Sequence, residues 1–448
     1  MDLKKYENKK ILILGLGQEG YSTFKLLRKT FPDKTISLAD QKEFDLLEED
    51  FKNVVSKDKN IQLYLGSDYQ KDINSYDLIF KSPGVIVSEQ VALGKVTSQA
   101  ELFFTAHRDK IIGVTGTKGK STTATLIYKI LEAAGINTEL IGNIGKPPFD
   151  SVGKKPNTIY VYELSSYQLE QLNQSPHIAV FLNLFKEHLD YHKSFENYIA
   201  AKLNIFKWQK SKDFLVFSED FDHVEELARA CPATKLTFSL KKKTSSAYTS
   251  DGIIYFEKRK IMDTVDIKLQ GEFNLNNVLA AIIVAKLFRA PNDKIVAALK
   301  SFKPLKHRLE NVGTYKGITF YNDSISTVPE ATMAALEALS PKVSTLIVGG
   351  FNRGIDFSGL AEKIAKQKIE NIILFPETGE KIKRELVEYK VSCKYFNVDN
   401  MKDAVKVAFR VTKPETICLM SPASPSYNLF KNFEDRGDQY VDQIKKFK

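Results

Sequence analysis

Gly116-Thr117-Lys118-Gly119-Lys120-Ser121-Thr122 stands directly behind the apolar run Ile111-Ile112-Gly113-Val114. Together they read as a buried strand, a phosphate-cradling loop and the start of a helix. Glycines let backbone N–H groups approach phosphate oxygens, the Lys120 ammonium offsets their charge, and the Ser121 hydroxyl is a hard oxygen ligand for Mg²⁺ at a helix N-terminus. The usual loop has another glycine five residues before Gly119; Val114 stands there, so the motif is a shortened variant. A nucleoside triphosphate is the ligand this stretch implies.

Outward from the loop, apolar runs alternate with helix-like stretches, the rhythm of α/β domains built on parallel sheets. Before it, residues 10–14, 36–39 and 78–80 read as strands and 21–30 as a helix. After it come residues 159–163 and 178–184, apolar on both faces as buried parallel strands are. Residues 213–269 alternate polar and β-branched side chains, as in Gly252-Ile253-Ile254-Tyr255-Phe256, and read as an antiparallel extension closed by a helix over 274–288. The rhythm resumes at 318–321, 345–348, 371–375 and 416–420. The expected architecture is α/β with three domains: a Rossmann-like domain at 1–107, a central P-loop-type mononucleotide-binding sheet with a small antiparallel extension at 108–302, and a second Rossmann-like domain at 303–448.

Composition agrees. A chain of 448 residues exceeds one ordinary core, and its 43% apolar fraction suffices for several. No run approaches the roughly 18 apolar residues that cross a bilayer, and no secretory leader is legible, so a cytoplasmic location without membrane contact is expected. The net charge of +10 arises from 65 basic residues interspersed with 55 acidic ones, without aromatic stacking motifs beside the lysine runs. That pattern points to phosphorylated small molecules rather than nucleic acid. Cys231, Cys393 and Cys418 fit neither a zinc site nor a disulfide framework.

Gly15-Leu16-Gly17-Gln18-Glu19-Gly20 follows a strand, opens a helix and has Asp40 twenty residues beyond, close to the dinucleotide fingerprint. The pattern encodes a tight turn, room for a pyrophosphate and a hydrogen-bond acceptor. NAD satisfies it, and so does a UDP-linked substrate; a separate triphosphate loop favours the latter. In the middle of the chain, Glu163 ends one strand and His188 follows another, so both stand at the carboxyl edge where open α/β sheets assemble their sites.

Gly116 to Thr122, Glu163-Leu164-Ser165-Ser166, Asn183 with His188-Leu189-Asp190, and Ala201-Lys202-Leu203 occur in this order in the Mur ligase family, which the chain resembles over essentially its whole length. Members are ATP-dependent amide-forming enzymes of three domains. Tyr321-Asn322-Asp323-Ser324 with Thr327, Gly349-Gly350, the loop Ser421-Pro422-Ala423-Ser424-Pro425-Ser426 and the string Phe430-Lys431-Asn432-Phe433-Glu434-Asp435-Arg436-Gly437 are similar to those members that add D-glutamate to UDP-N-acetylmuramoyl-L-alanine. A related Mur-type or folylpolyglutamate synthase-like ligase with another acceptor is the alternative.

Residue by residue, the resemblance implies that Gly116, Thr117, Lys118, Gly119, Lys120, Ser121 and Thr122 hold ATP, with Asn277, Arg308 and Asp323 touching the nucleotide. It places Mg²⁺ on Ser121, Glu163, His188 and a carbamate of Lys202, and makes Lys120, Glu163, His188 and Lys202 catalytic. Gly17, Gln18, Asp40, Gln41, Ser82, Gly84, Asn143, Ser165 and Gln168 would meet the UDP-muramoyl substrate; Thr327, Arg353, Ser426 and Phe433 would surround D-glutamate. A monomer acting in cytoplasmic peptidoglycan precursor synthesis is expected. Three positions depart from the family pattern: Lys118 replaces Asn, Ile325 stands where Lys is common, and Arg353 replaces Lys, exchanging a point charge for a bidentate fork.

Overall fold

The apolar runs become the central strands of three α/β sheets. The computed structural model describes every residue except 48, 88–93, 270, 368 and 448, and every side chain except also those of residues 49, 50, 189 and 190. Among the described residues the sheets have five, nine and six strands.

The first sheet is parallel and contains β1 (Ile11–Leu14), β2 (Ile36–Asp40), β3 (Ile61–Leu65), β4 (Leu78–Lys81) and β5 (Val96–Thr97), in the order β3-β2-β1-β4-β5. The order reverses between β1 and β4, so residues 15–20 and 82–84 leave neighbouring strands at one carboxyl edge, where ligands of such sheets bind. The helix Gln18–Thr30 turns Phe24 and Leu27 inward against this sheet.

The second sheet is built from β6 (Ile111–Thr115), β7 (Thr138–Gly142), β8 (Ile159–Glu163), β9 (Ile178–Phe181), β10 (Phe214–Ser218), β11 (Thr234–Ser239), β12 (Ala247–Ser250), β13 (Ile253–Phe256) and β14 (Arg259–Asp263). Its order is β14-β13-β12-β11-β10-β9-β6-β8-β7, with β6 between the two strands that end at Glu163 and Phe181. Ile112, Val114, Val161, Ala179 and Val180 are fully enclosed, each larger side chain contributing about 1.5–3 kcal/mol. The antiparallel extension is smaller than its sequence implied. β10 and β11 continue the parallel sheet, and only β12, β13 and β14 pair antiparallel. Phe214-Leu215-Val216-Phe217 is apolar on both faces, and the helix Asp222–Ala228 supplies the crossover that parallel pairing requires. The strand expected over 178–184 stops at Phe181, because the chain then turns to hydrogen-bond the phosphate loop through Asn183.

The third sheet contains β15 (Glu310–Tyr315), β16 (Ile318–Asn322), β17 (Val343–Gly349), β18 (Asn371–Phe375), β19 (Lys394–Asn397) and β20 (Ile417–Met420), in the order β15-β16-β20-β17-β18-β19. β15 alone is antiparallel to its neighbour. Two compact units result: Met1–Asp266 with Leu275–Lys300 holds the first two sheets, and Ile267–Asn274 with Ser301–Lys448 holds the third. All three cysteines are free thiols, and among the described residues no helix is long and apolar enough to cross a membrane.

One buried charge fastens the second sheet. Asp213, fully enclosed, accepts from Arg108 at 2.5 Å, pairs with His177 at 2.9 Å and caps the amide of Lys210 at 2.7 Å. Burial pushes its carboxyl up, but Arg108 and His177 outweigh burial and hold it below the ordinary aspartate range. Asp213→Ala leaves Arg108 with only its exposed partner Asp109 and unsatisfies the Lys210 amide, and is expected to cost about 1–3 kcal/mol in urea unfolding at neutral pH. Because the folded pKa is depressed, the contribution is complete above the unfolded pKa near 4 and is lost as pH falls through the folded value, so wild type and variant converge in acid.

Candidate active site

The phosphate loop leaves β6 and is clamped from β9. The Asn183 side chain accepts from the Lys118 amide at 2.8 Å and donates to the Lys118 carbonyl at 3.0 Å, while its own carbonyl accepts from the Thr117 amide at 3.0 Å. The Thr117 hydroxyl lies 3.0 Å from the Tyr198 hydroxyl and accepts from the Phe185 amide at 2.9 Å. Gly119, with φ of 86°, begins the helix Lys120–Ala133; a Cβ there would stand 2.3 Å from Asn277 Oδ1, which itself accepts from Thr123 at 3.1 Å. Only glycine fits between loop and helix. Lys120 Nζ folds back onto the Thr117 carbonyl at 2.9 Å, and the Ser121 side chain is buried at the first turn.

Charge crowds this loop. Lys202 Nζ, 1% exposed, donates to the Gly116 carbonyl at 2.8 Å and lies 4.9 Å from the Tyr198 ring centre. Burial first, and then the Lys120 charge, pulls its pKa well below the ordinary lysine value despite Glu187 and Glu163. Lys118 Nζ forms a 2.6 Å ion pair with Glu187. Burial pushes the Glu187 carboxyl up, but Lys118, Lys120 and His188 outweigh it and hold it below the usual range. His188 adopts φ of 57° in the loop before the short helix Leu189–His192, seven residues past the end of β9, and packs on Tyr167 with ring centres 5.1 Å apart. Burial is the main force holding its imidazole neutral, Glu187 opposing and the lysines reinforcing.

Glu163, fully buried at the end of β8, accepts from the Asn143 amide group at 3.1 Å through Oε1, while Oε2 has no hydrogen-bond partner. An orphaned, enclosed carboxylate oxygen is what a cation would satisfy, and a carboxylate and a hydroxyl such as that of Ser121 are the hard-oxygen donors Mg²⁺ takes. Among the described residues no three His, Cys, Asp and Glu side chains converge into a group that could hold a metal ion.

At the first sheet, both Asp40 oxygens are occupied from within: Oδ2 accepts from the Leu16 amide at 2.6 Å and Oδ1 from the Lys42 amide at 2.9 Å. The carboxylate pins the glycine loop, leaving Gly17, Gln18 and Gln41 exposed beside it. Ser82 donates to the Gly15 carbonyl at 2.7 Å, and Gly84 turns with φ of 80°. Ser165 and Gln168 form a capping box on the helix Ser166–Leu169. Gln168 also donates to Glu19 at 2.7 Å, and burial raises the Glu19 carboxyl to about 7.

In the other unit, Asp323 is a hub at the end of β16. It accepts from the Leu309 amide at 3.1 Å and from the hydroxyls of Ser326 at 2.6 Å and Ser421 at 2.7 Å. Burial raises its carboxyl to about 6 in spite of them. Arg308, next to Leu309, and Thr327, next to Ser326, are half-buried, Ser426 is buried, and the half-buried Phe433 begins the helix Phe433–Lys446. Arg353 is exposed, its guanidinium 5.5 Å from the Tyr427 ring centre.

Residues 114–285 match the Mur ligase middle domain and residues 307–424 the Mur ligase, glutamate ligase domain. UDP-N-acetylmuramoylalanine--D-glutamate ligases of Streptococcus equi subsp. zooepidemicus and of Streptococcus pyogenes serotype M49 are each 37% identical to the chain, over 98% of it and 97% of theirs. The chain belongs to the Mur ligase family. Among solved structures, UDP-N-acetylmuramate-alanine ligase MurC from Thermotoga maritima shares the fold with a TM-score of 0.63 at 17% identity, covering 98% of this chain and 100% of that one. MurF ligase from Thermotoga maritima in complex with ADP gives 0.62 at 16% identity, covering 97% and 98%.

Against the Mur ligase pattern, the structure gathers Lys118, Lys120, Ser121, Asn277 and Lys202 around the phosphate loop, with Glu163 beside Asn143. The side chains of Leu189 and Asp190, part of the motif after Asn183, lie outside the described residues. Sequence reasoning assigned no role to Asn183, Glu187, Tyr198 or Glu19. Asn183 and Glu187 carried a signal as polar residues just past a buried strand, and Glu19 as an acid inside a pyrophosphate fingerprint; Tyr198 carried none. Asn183→Ala removes two hydrogen bonds from the loop and is expected to raise the KM for ATP about 10- to 100-fold. Steady-state kinetics with ATP varied, beside a circular-dichroism check of folding, measures this.

Proposed function

We infer that the chain is an ATP-dependent ligase that adds D-glutamate to UDP-N-acetylmuramoyl-L-alanine through an acyl phosphate, in cytoplasmic peptidoglycan precursor synthesis. The observation that carries this reading is 37% identity to ligases of that name over nearly the full length of both chains. The charge distribution supports it. Lys118, Lys120 and Lys202 crowd one loop against Glu187 and Glu163, and a triphosphate supplies the anion that such a loop lacks.

Forming an amide in water is uphill, so the alanyl carboxylate must first be activated. Its oxygen attacks the γ-phosphorus of ATP and ADP leaves; the D-glutamate amine then attacks the acyl carbon and inorganic phosphate leaves. Lys120 offsets charge on the moving phosphoryl group, and Asn183 and Asn277 hold the loop that positions it. Ser121 and Glu163 would hold Mg²⁺, with His188 and Lys202 beside them; when bound, the metal supplies charge neutralisation at the phosphates. Burial favours the uncharged form of the Lys202 amine, the form that reacts with CO₂, and as a carbamate Lys202 would place an anion facing that metal. UDP-sugar contacts fall to Gly17, Gln18, Asp40, Gln41, Ser82, Gly84, Asn143, Ser165 and Gln168, nucleotide contacts also to Arg308 and Asp323, and acceptor contacts to Thr327, Arg353, Ser426 and Phe433. The division at 1–107, 108–302 and 303–448 is supported by one sheet falling in each range. On this reading it acts as a monomer.

Phosphate release should require UDP-N-acetylmuramoyl-L-alanine, D-glutamate and ATP together, and Lys120→Ala should reduce it at least about 1,000-fold. Release without D-glutamate at the full rate, or near-normal turnover of the variant, contradicts the assignment. Lys202→Ala should be crippled and partly restored by added short carboxylates; an active variant indifferent to them removes the carbamate.

A further inference from the structure

Lys81 ends β4 and is only 6% exposed, yet among the described residues its ammonium has no hydrogen-bond acceptor and no carboxylate within ion-pair distance. Two carboxylates act on it from further off, Glu170 and then Glu19; burial outweighs both and lowers its pKa from the ordinary lysine value. Lys81 is in register with Leu14 of β1, and the next residue, Ser82, donates to the Gly15 carbonyl at 2.7 Å. The lysine therefore stands where the strand order reverses, against the glycine loop that opens the helix Gln18–Thr30. Gly17 caps that helix without a side chain, so its first amides face a ligand site rather than a hydroxyl or carboxylate.

Glu19 is the odd member of this loop. It lies in the first helical turn, where a carboxylate suits the helix dipole but repels a diphosphate. The acid is fixed in place: its carboxylate accepts from Gln168 at 2.7 Å, and its carbonyl accepts from the Gln99 side chain at 2.7 Å and from the Thr23 hydroxyl at 2.8 Å. Burial raises its carboxyl to about 7, Gln168 and Lys81 opposing. The titratable groups that face it are Lys81 from β4 and Tyr162 from β8, whose phenol burial keeps protonated; Glu170, just past the helix Ser166–Leu169, acts on the same lysine.

We propose that Lys81 binds the diphosphate of the UDP-linked donor, and that Glu19 accepts a proton from solvent as the diphosphate arrives. The proposal rests on the UDP-linked donor reading and adds to it a cation for the diphosphate and a proton taken up on binding. Near neutral pH the Glu19 carboxyl of the empty site is partly ionised. An anion beside Lys81 cancels the attraction of the lysine for that carboxylate and adds repulsion, so the carboxyl rises further. The complex then holds more protons than the free protein. Affinity is highest below the free-state value near 7 and falls as pH climbs from there toward the bound-state value.

The test is titration calorimetry of the full-length protein with UDP and with UDP-N-acetylmuramoyl-L-alanine, in HEPES and in Tris. The two buffers differ in heat of ionisation, so the pair of runs reads both affinity and protons exchanged. At about pH 7.5 wild type should take up a fraction of a proton with either ligand. Lys81→Met should weaken both ligands about 10- to 100-fold, and Lys81→Arg, which keeps the charge, should recover part of the loss. Glu19→Gln, whose amide oxygen can still accept from Gln168, should abolish the proton uptake and flatten the affinity between about pH 6.5 and 8.5. The proposal is overturned by Lys81→Met binding UDP within about twofold of wild type, including a loss confined to UDP-N-acetylmuramoyl-L-alanine, or by proton uptake that survives Glu19→Gln. Wild type binding without proton exchange overturns it as well, and that result needs no variant to fold. Wild type that binds neither ligand overturns instead the donor reading beneath it.

Discussion

Electrostatic crowding at the phosphate loop is the constraint on which the rest depends. The loop is pinned on one side by β6 and on the other by Asn183, and three lysine side chains are drawn toward it: Lys120 on the Thr117 carbonyl, Lys202 on the Gly116 carbonyl and Lys118 on Glu187. Two carboxylates answer them, one in the Lys118 pair and one, Glu163, with an oxygen left unsatisfied in the protein interior. Such an arrangement is costly for a protein that binds nothing. It becomes favourable when a polyphosphate and a divalent cation occupy the loop, which is why the geometry favours phosphoryl transfer over a merely structural glycine turn.

The sheet topology makes that crowding achievable. Because β6 has β8 on one side and β9 on the other, residues far apart in sequence leave the same carboxyl edge side by side. The first sheet repeats the principle at β1 and β4, where the glycine fingerprint and the Ser82 turn become neighbours, and the third at β16, β20 and β17. Each edge uses a polar hub to hold its loops: Asp40 in the first, Asn183 in the second, Asp323 with Arg436 in the third. The hubs satisfy backbone groups that strands leave behind as they end, so the loops are rigid without being part of the ladders.

Central strands were legible in the sequence because burial on both faces demands unbroken apolar runs, as in Ile11-Leu12-Ile13-Leu14 or Ile372-Ile373-Leu374. Edge strands were not. β3, β5, β7, β15 and β19 all lie at sheet margins, and Gln62, Glu139, Thr314 and Lys394 show why: one face meets solvent and the apolar signal is diluted. The extent of the antiparallel extension was misjudged because β11, with its exposed Thr234 and Lys235, alternates like an antiparallel strand while pairing parallel with β10. Among the site residues, glycines, Lys120 and Ser121 were legible because phosphate chemistry admits few substitutes. Tyr198 and Arg436 were not, since a tyrosine or arginine in a helix usually faces solvent or core, and only the fold reveals that these two reach loops from other strands.

The most direct test follows oxygen. With the alanyl carboxylate of UDP-N-acetylmuramoyl-L-alanine labelled with ¹⁸O, activation by the triphosphate at this loop requires that one labelled oxygen leave in the inorganic phosphate at every turnover with D-glutamate. Phosphate formed at the rate of ligation but free of label would contradict an acyl phosphate and, with it, the role assigned to the loop.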